Sequence, residues 1–153
     1  MSAGRLVIMH PRDPCFEEVV RECFHLQGAM TALDATLTVV TPGRCEIALP
    51  FSQRVTQQYG LFHGGIISAL ADCAGGCAAL SLAPADTKVL TVEYKVNFLA
   101  PARGDTIVAT GRVLKSGRTL SVCQLDVDVI ANGVATPCAV GQQTIMSISS
   151  RSA

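Results

Sequence analysis

The sequence predicts an α+β protein in which one antiparallel sheet of five or six strands wraps around one long helix. Between His63 and Asp86 the chain runs for 22 residues with a single charge, Asp72, and an apolar stretch of that kind indicates a buried helix. After the helix, apolar and polar residues alternate with a period of two in several segments, which is typical of strands.

The other elements follow from the same patterns along a single domain, residues 1–153. Apolar residues fall on one side of the segment 14–26 and charged residues on the other, which predicts a short amphipathic helix. Strands are expected over 33–39, 45–49, 90–98, 107–114, 120–130 and 134 to about 148. The Asn132-Gly133 pair predicts a tight hairpin, and Pro137 indicates an edge or a bulge in the last strand.

The first strand after the helix has a very regular alternation. One face is expected to carry its apolar residues, which are Leu90, Val92, Tyr94, Val96 and Phe98. The opposite, polar face is expected to carry Thr91. This strand is therefore predicted to be half-buried.

Composition excludes some function classes and favours self-association. Twelve basic and twelve acidic residues cancel, and only 16% of residues are charged, which argues against a nucleic-acid-binding surface. Hydrophobic residues make up 49% of the chain, and the mean hydropathy is +0.39. A helix that is apolar nearly all round needs cover beyond its own sheet. We therefore expect a homo-oligomer, a dimer at least and a tetramer as the favoured state.

The chain is expected to be cytoplasmic and to have no membrane span. Asp72 would lie near the middle of a span over residues 66–83, at a cost of about 3 kcal/mol, and Met1–Leu6 has no apolar run of signal-peptide length. Seven cysteines without regular spacing fit a reducing compartment. Cys73 and Cys77 share a helix face, but further ligands at metal-binding spacing are missing, so no metal site is expected.

Two features of the helix carry possible chemistry. At its start, His63-Gly64-Gly65 offers unpaired backbone N–H groups at the positive end of the helix dipole, which could hold a carbonyl or an oxyanion. The alternative is that these glycines form only a tight turn. Asp72 is either a working carboxylate or a structural acid held by backbone N–H groups or by Ser68.

Helix geometry separates these two features. Asp72 follows Gly64 by eight residues, which on an ideal helix is about 12 Å along the axis and roughly 80° around it. One chain cannot then bring both groups to a single acyl carbon. If both act on one substrate, they come from different subunits across a two-fold interface.

Several segments together resemble the hotdog-fold acyl-CoA thioesterases of the PaaI type, over about residues 30–148. The residues that carry the resemblance are Gln57, Gly60, His63-Gly64-Gly65, Leu70-Ala71-Asp72 and the run from Val92 to Ala102. The resemblance implies a hotdog fold and the hydrolysis of an acyl-CoA to a carboxylic acid and CoA. It implies no cofactor, because CoA is part of the substrate.

The resemblance also implies roles for individual residues. Asp72 is expected to be the nucleophile or the general base, and the Gly64 N–H is expected to bind the thioester carbonyl, with Gly65 beside it. Gln57 is expected to orient the thioester or the water. His63 is either an orienting group or a capping or core histidine.

Further matches concern the attacking water, the nucleotide and the acyl group. Thr91 matches a water-holding hydroxyl, although on the polar face it reaches the site only if that face meets the partner subunit. In similar proteins the CoA nucleotide lies along two segments, and the residues of this chain at those positions are Arg103, Lys115, Gly117 and Arg118. The aromatic side chains expected to wall the acyl pocket are Phe62, Tyr59 and Phe98.

Two other functions stay open on the sequence. One is a module that binds acyl-CoA or a lipid without turning it over. The other is a hotdog hydratase or dehydratase, although the local His and acid motifs of those enzymes are not found in this chain. Retention of an acid at Asp72 favours hydrolysis over both.

Overall fold

A computed structural model describes residues 9–149 of the chain. The helices are α1 (Phe16–His25), α2 (Gly28–Ala32) and α3 (Gly64–Leu80), with a 3-10 turn at Gln53–Val55. The strands are β1 (Thr36–Thr41), β2 (Arg44–Pro50), β3 (Thr87–Phe98), β4 (Thr106–Ser116), β5 (Leu120–Ala131) and β6 (Val134–Ser149). The segment Met1–Leu6, in which no signal peptide is expected, lies outside the described residues.

The strands form one six-stranded antiparallel sheet in the order β1-β2-β4-β5-β6-β3. Helix α3 contacts β2, β3, β4, β5 and β6, and apolar side chains from both layers make the core. This is the α+β hotdog arrangement that the sequence predicts. Within the described residues, no helix is both long and apolar enough to cross a membrane.

Helix α3 packs closely against the middle of the sheet because both layers carry glycine there. A side chain at Gly111 of β4 would overlap the carbonyl of Ala74 and come within 2.5 Å of the Gly75 nitrogen. A side chain at Gly75 would come within 2.7 Å of Leu125 on β5. The small residues of α3 therefore set the distance between its backbone and the strands.

Most predicted elements lie within a few residues of their expected places. The helix expected over 14–26 runs from Phe16 to His25, whereas the short helix α2 is not expected from the sequence. Asn132 and Gly133 both have positive φ, as a tight I′ hairpin turn requires. Pro137 lies next to a register shift between β5 and β6, which confirms the predicted bulge.

The predicted alternation of β3 is wrong, because a bulge at Val92 interrupts it. Thr91 pairs with Ile145, but Glu93 pairs with the next residue back on β6, Thr144. The bulge switches the faces, so that Thr91 and Phe98 both lie on the side of α3. Within one chain the strand is also more open than expected, since Leu90 and Val92 are each 55% exposed.

Candidate functional site

The carboxylate of Asp72, in the middle of α3, is held by two side chains from the sheet. The Thr91 hydroxyl donates to Oδ1 over 2.7 Å. The amide nitrogen of Gln143 donates to the same Oδ1 and, over 3.1 Å, to the Asp72 backbone carbonyl. No donor to Oδ2 is found among residues 9–149, so one carboxylate oxygen stays available for chemistry.

These partners differ from those that the sequence predicts. Thr91 is expected to need a partner subunit to reach the site, but the β3 bulge turns it toward the Asp72 of its own chain. Ser68 makes no hydrogen bond to Asp72 in the described part of the chain. Sequence reasoning misses Gln143, although its place between Gly141 and the buried Ile145 on the inner face of β6 could have indicated a buried amide.

A pocket opens beside Asp72, between α1, α3 and β3. Its walls include Cys23, Gln27, Cys73, Cys77, Val89, Leu90 and Thr91. The Cys73 thiol donates to the Gln27 amide oxygen over 3.2 Å. The hydrogen bond with Cys73, together with burial, raises the pKa of the Cys77 thiol. These contacts keep Cys77 protonated, and Asp72 supplies the carboxylate of this pocket.

The first turn of α3 forms a second region of interest. His63 is the N-cap residue, and its Nδ1 accepts the Gly65 N–H over 2.9 Å. The His63 carbonyl accepts the N–H groups of Ile66 and Ile67. The Gly64 N–H has no acceptor within the described chain. That N–H therefore remains a free donor at the positive end of the helix dipole.

We expect His63→Ala to lower the free energy of unfolding by about 1 kcal/mol, because the Gly65 N–H loses its acceptor. His63→Asn should keep most of the stability, since asparagine is among the preferred N-cap residues. Urea unfolding at one protein concentration measures both variants. Equal losses in the two would contradict a capping role for His63.

A separate pocket adjoins the Gly64 N–H. Its walls include Gln57, Leu61, Phe62, Ile67 and the segment Phe98–Ala102. The Gln57 side-chain oxygen accepts the Tyr59 N–H. The amide nitrogen of Gln57 has no hydrogen-bond acceptor in the described residues. Of the expected aromatic wall, Phe62 and Phe98 lie in this pocket, whereas Tyr59 is 74% exposed and does not line it.

One chain thus contains two separate pockets along α3, one beside Asp72 and one beside Gly64. The Asp72 pocket and the Gly64 pocket share no residue, and the two groups are separated by about 12 Å of helix. Helix α3 runs without a break from Gly64 to Leu80, which confirms the single helix on which this predicted separation depends.

The basic residues expected along a nucleotide are also divided between two places. Arg103 precedes β4, whereas Lys115, Gly117 and Arg118 lie around the hairpin at its other end. Nine residues of β4, 106–114, lie between Arg103 and Lys115, a span of about 30 Å. The side chains of Arg103, Lys115 and Arg118 are exposed, and none pairs with a carboxylate in the described residues. The Gly117 N–H closes the turn on the Leu120 carbonyl over 2.8 Å.

The chain resembles proteins of known family in sequence and in structure. The sequence profile of the thioesterase superfamily matches residues 59–133. A thioesterase family protein from Silicibacter pomeroyi is 38% identical, with a TM-score of 0.85 over 87% of this chain and 98% of that one. Acyl-coenzyme A thioesterase 13 of Homo sapiens is 30% identical over 64% of this chain and 70% of that protein.

The PaaI protein from the phenylacetic acid degradation operon of E. coli shares the fold. Its TM-score is 0.76 at 19% identity, over 87% of this chain and 93% of that one. The range 59–133 matched by the profile contains Gly64, Asp72 and Thr91 but neither Gln57 nor Gln143.

Proposed function

Since this chain belongs to the thioesterase superfamily and is a thioester hydrolase, we propose that it cleaves acyl-CoA thioesters at a site shared by two copies of the chain. The observation that carries the proposal is the division of its polar groups into two half-sites on one helix. Asp72 belongs to one half-site, and the free Gly64 N–H belongs to the other.

The exposed edge of β3 supports pairing of two chains. β3 is an edge strand of the sheet, and its exposed large apolar residues are Leu90, Val92, Tyr94 and Phe98. Pairing such an edge with an identical edge hydrogen-bonds its free backbone groups and removes its apolar side chains from water. The proposed assembly is a dimer with a two-fold axis at β3, and two such dimers would make a tetramer.

Two-fold pairing of β3 would bring unlike half-sites together. In an antiparallel pair around an axis between Tyr94 and Lys95, Thr91 of one chain lies opposite Phe98 of the other. Thr91 contacts Asp72, and Phe98 lies against Gly64. Each dimer would then have two equivalent sites, each with an acid from one chain and an N–H donor from its partner.

The proposed reaction begins with the thioester carbonyl oxygen on the Gly64 N–H. The helix dipole and this donor stabilise the negative charge that develops on that oxygen. Oδ2 of Asp72 attacks the carbonyl carbon, or takes a proton from a water that attacks it, and the C–S bond breaks. On the nucleophilic route, water then cleaves the anhydride between Asp72 and the acyl group and frees the carboxylate. On either route, water supplies the hydroxyl of the acid product and the proton of the CoA thiol. The proposal assigns no metal and no redox cofactor to these steps.

The other predicted residues have supporting roles in the proposal. The free amide nitrogen of Gln57 would orient the acyl group beside Gly64 and Gly65. Dimer pairing would place Arg103 of one chain on the same side as Lys115 and Arg118 of its partner. Arginine and lysine side chains bind phosphate oxygens well, so these exposed cations and the tight turn at Gly117 would hold the CoA nucleotide.

Thiol release from a panel of acyl-CoAs tests the proposed substrate class. A thiol reagent should detect CoA release from acetyl-, hexanoyl-, palmitoyl- or phenylacetyl-CoA, with an oxygen ester of one of these acids as the control. Hydrolysis of at least one thioester at a rate above the ester control is expected. Tight binding of acyl-CoA without thiol release, or hydration of an enoyl-CoA, would contradict it.

Two substitutions at Gly64 isolate its N–H. Gly64→Ala and Gly64→Pro add a similar Cβ, which would approach the Phe98 ring at 3.0 Å, but only proline removes the N–H. Proline is tolerated at a first helical position, and the extended backbone of His63 (ψ 133°) suits a residue before proline. We expect kcat of Gly64→Pro to fall about 100-fold below that of Gly64→Ala. Equal kcat values would contradict the donor role.

A further inference from the structure

Gln143 is a fully buried polar residue on the inner face of β6, at 0% exposure. Its amide nitrogen contacts the Asp72 carboxylate, the Asp72 carbonyl at 3.1 Å and the Thr91 hydroxyl oxygen at 3.0 Å. A buried amide is unfavourable unless both of its ends are hydrogen-bonded. Its neighbours on this face of the strand, Gly141 and Ile145, need no such partners.

The other end of this amide has no hydrogen-bond donor. Oε1 of Gln143 is buried without a partner in the described residues. Reversing the amide would aim Oε1 at the Asp72 carboxylate and carbonyl, which are acceptors like itself. The orientation that serves Asp72 therefore leaves Oε1 unsatisfied, which is not what a purely structural glutamine would require.

Helix α3 makes room for the amide at Gly75. A Cβ at that position would overlap Oε1 of Gln143. Gly75 is one helical turn from Asp72, so the same stretch of α3 provides both the carboxylate and the space for the group that holds it.

We propose that Gln143 is a positioning residue for hydrolysis. Together with Thr91 it holds Oδ1 of Asp72, so that Oδ2 is the oxygen that attacks the thioester or activates water. This inference rests on the proposed function and extends it to a residue outside the range 59–133 that the family profile matches.

The test compares two adjacent glutamines. Gln143→Met keeps the length of the side chain and removes the amide, and Gln143→Leu is made beside it in case one of the two does not fold. The matched control is Gln142→Met on the opposite, exposed face of β6. For each folded variant, kcat and KM for one acyl-CoA and the melting temperature are measured.

We expect kcat of the Gln143 variant to fall about 10- to 100-fold, with KM within about threefold of wild type. Its melting temperature should stay close to that of wild type, because removal of the unsatisfied Oε1 offsets the loss of the hydrogen bonds to Asp72 and Thr91. The control should keep wild-type kcat. Wild-type kcat in a folded Gln143 variant, or a loss of kcat only together with a lower melting temperature, would overturn the inference.

These outcomes separate the inference from the proposed function. An active wild type, an inactive Asp72→Asn and a normal Gln143→Met would overturn the role of Gln143 alone. A wild-type protein without thiol release from any acyl-CoA would overturn both.

Discussion

Asp72→Asn should assemble like wild type but hydrolyse acyl-CoA at least about 100-fold more slowly. Asparagine can still accept the Thr91 hydrogen bond at its amide oxygen, so the local packing is kept. An amide, however, neither attacks a thioester nor takes a proton from water at neutral pH, and loss of such a group typically costs a factor of about 10² to 10⁴. Steady-state thiol release measures kcat, and size-exclusion chromatography checks the assembly.

Asp86→Asn is the matched control for this change. Asp86 is exposed and has a positive φ of 57°, a conformation that asparagine tolerates well. It lies between α3 and β3 and has no proposed role. Normal turnover is expected in this variant. Turnover of Asp72→Asn close to that of Asp86→Asn would remove Asp72 from the mechanism.

Gly111→Ala should destabilise the protein by about 3 kcal/mol, which is roughly 6–12 °C in Tm for a chain of this size. The new methyl group would overlap backbone atoms of Ala74 and come within 2.5 Å of the Gly75 nitrogen. Backbone atoms cannot move aside as a flexible side chain can, so α3 must shift away from β4. Differential scanning calorimetry measures the change.

Gly28→Ala is the control for Gly111→Ala. Nothing lies within 4 Å of a Cβ built at Gly28, so its Tm should stay close to that of wild type. A Gly111→Ala protein with wild-type Tm would mean that α3 does not rest on β4 as described. The shift of α3 should also lower kcat, since it moves Asp72 relative to Thr91 and Gln143.

The sequence predicts those parts of the fold and site that depend on local patterns. A lone acid in an apolar helix marks Asp72, and glycines at a helix start mark the free N–H of Gly64. Both signals lie within one element, and helix geometry fixes their separation. The expectation that one chain cannot bring the two groups together therefore follows from their spacing along the sequence.

The sequence does not reveal contacts that depend on pairing between distant strands. The direction of Thr91 depends on the Val92 bulge, which appears only in the register of β3 against β6. Gln143 reaches Asp72 from 71 residues away, and no local pattern joins them. The separation of Arg103 from Lys115 likewise follows from the length of β4, not from the residue types.

Activity of a mixed dimer tests the shared site most directly. Asp72→Asn and Gly64→Pro chains, each inactive alone, are produced together with different tags, and the doubly tagged assemblies are purified. In a mixed dimer, one site combines both changes, while the other combines an intact Asp72 with an intact Gly64. A purified mixed dimer should therefore have about half of the wild-type turnover, because one of its two sites is intact. Before purification, random pairing makes about half of the dimers mixed, so the whole mixture should have about a quarter of the wild-type turnover. Mixed assemblies no more active than the separate variants would contradict a site built from two chains.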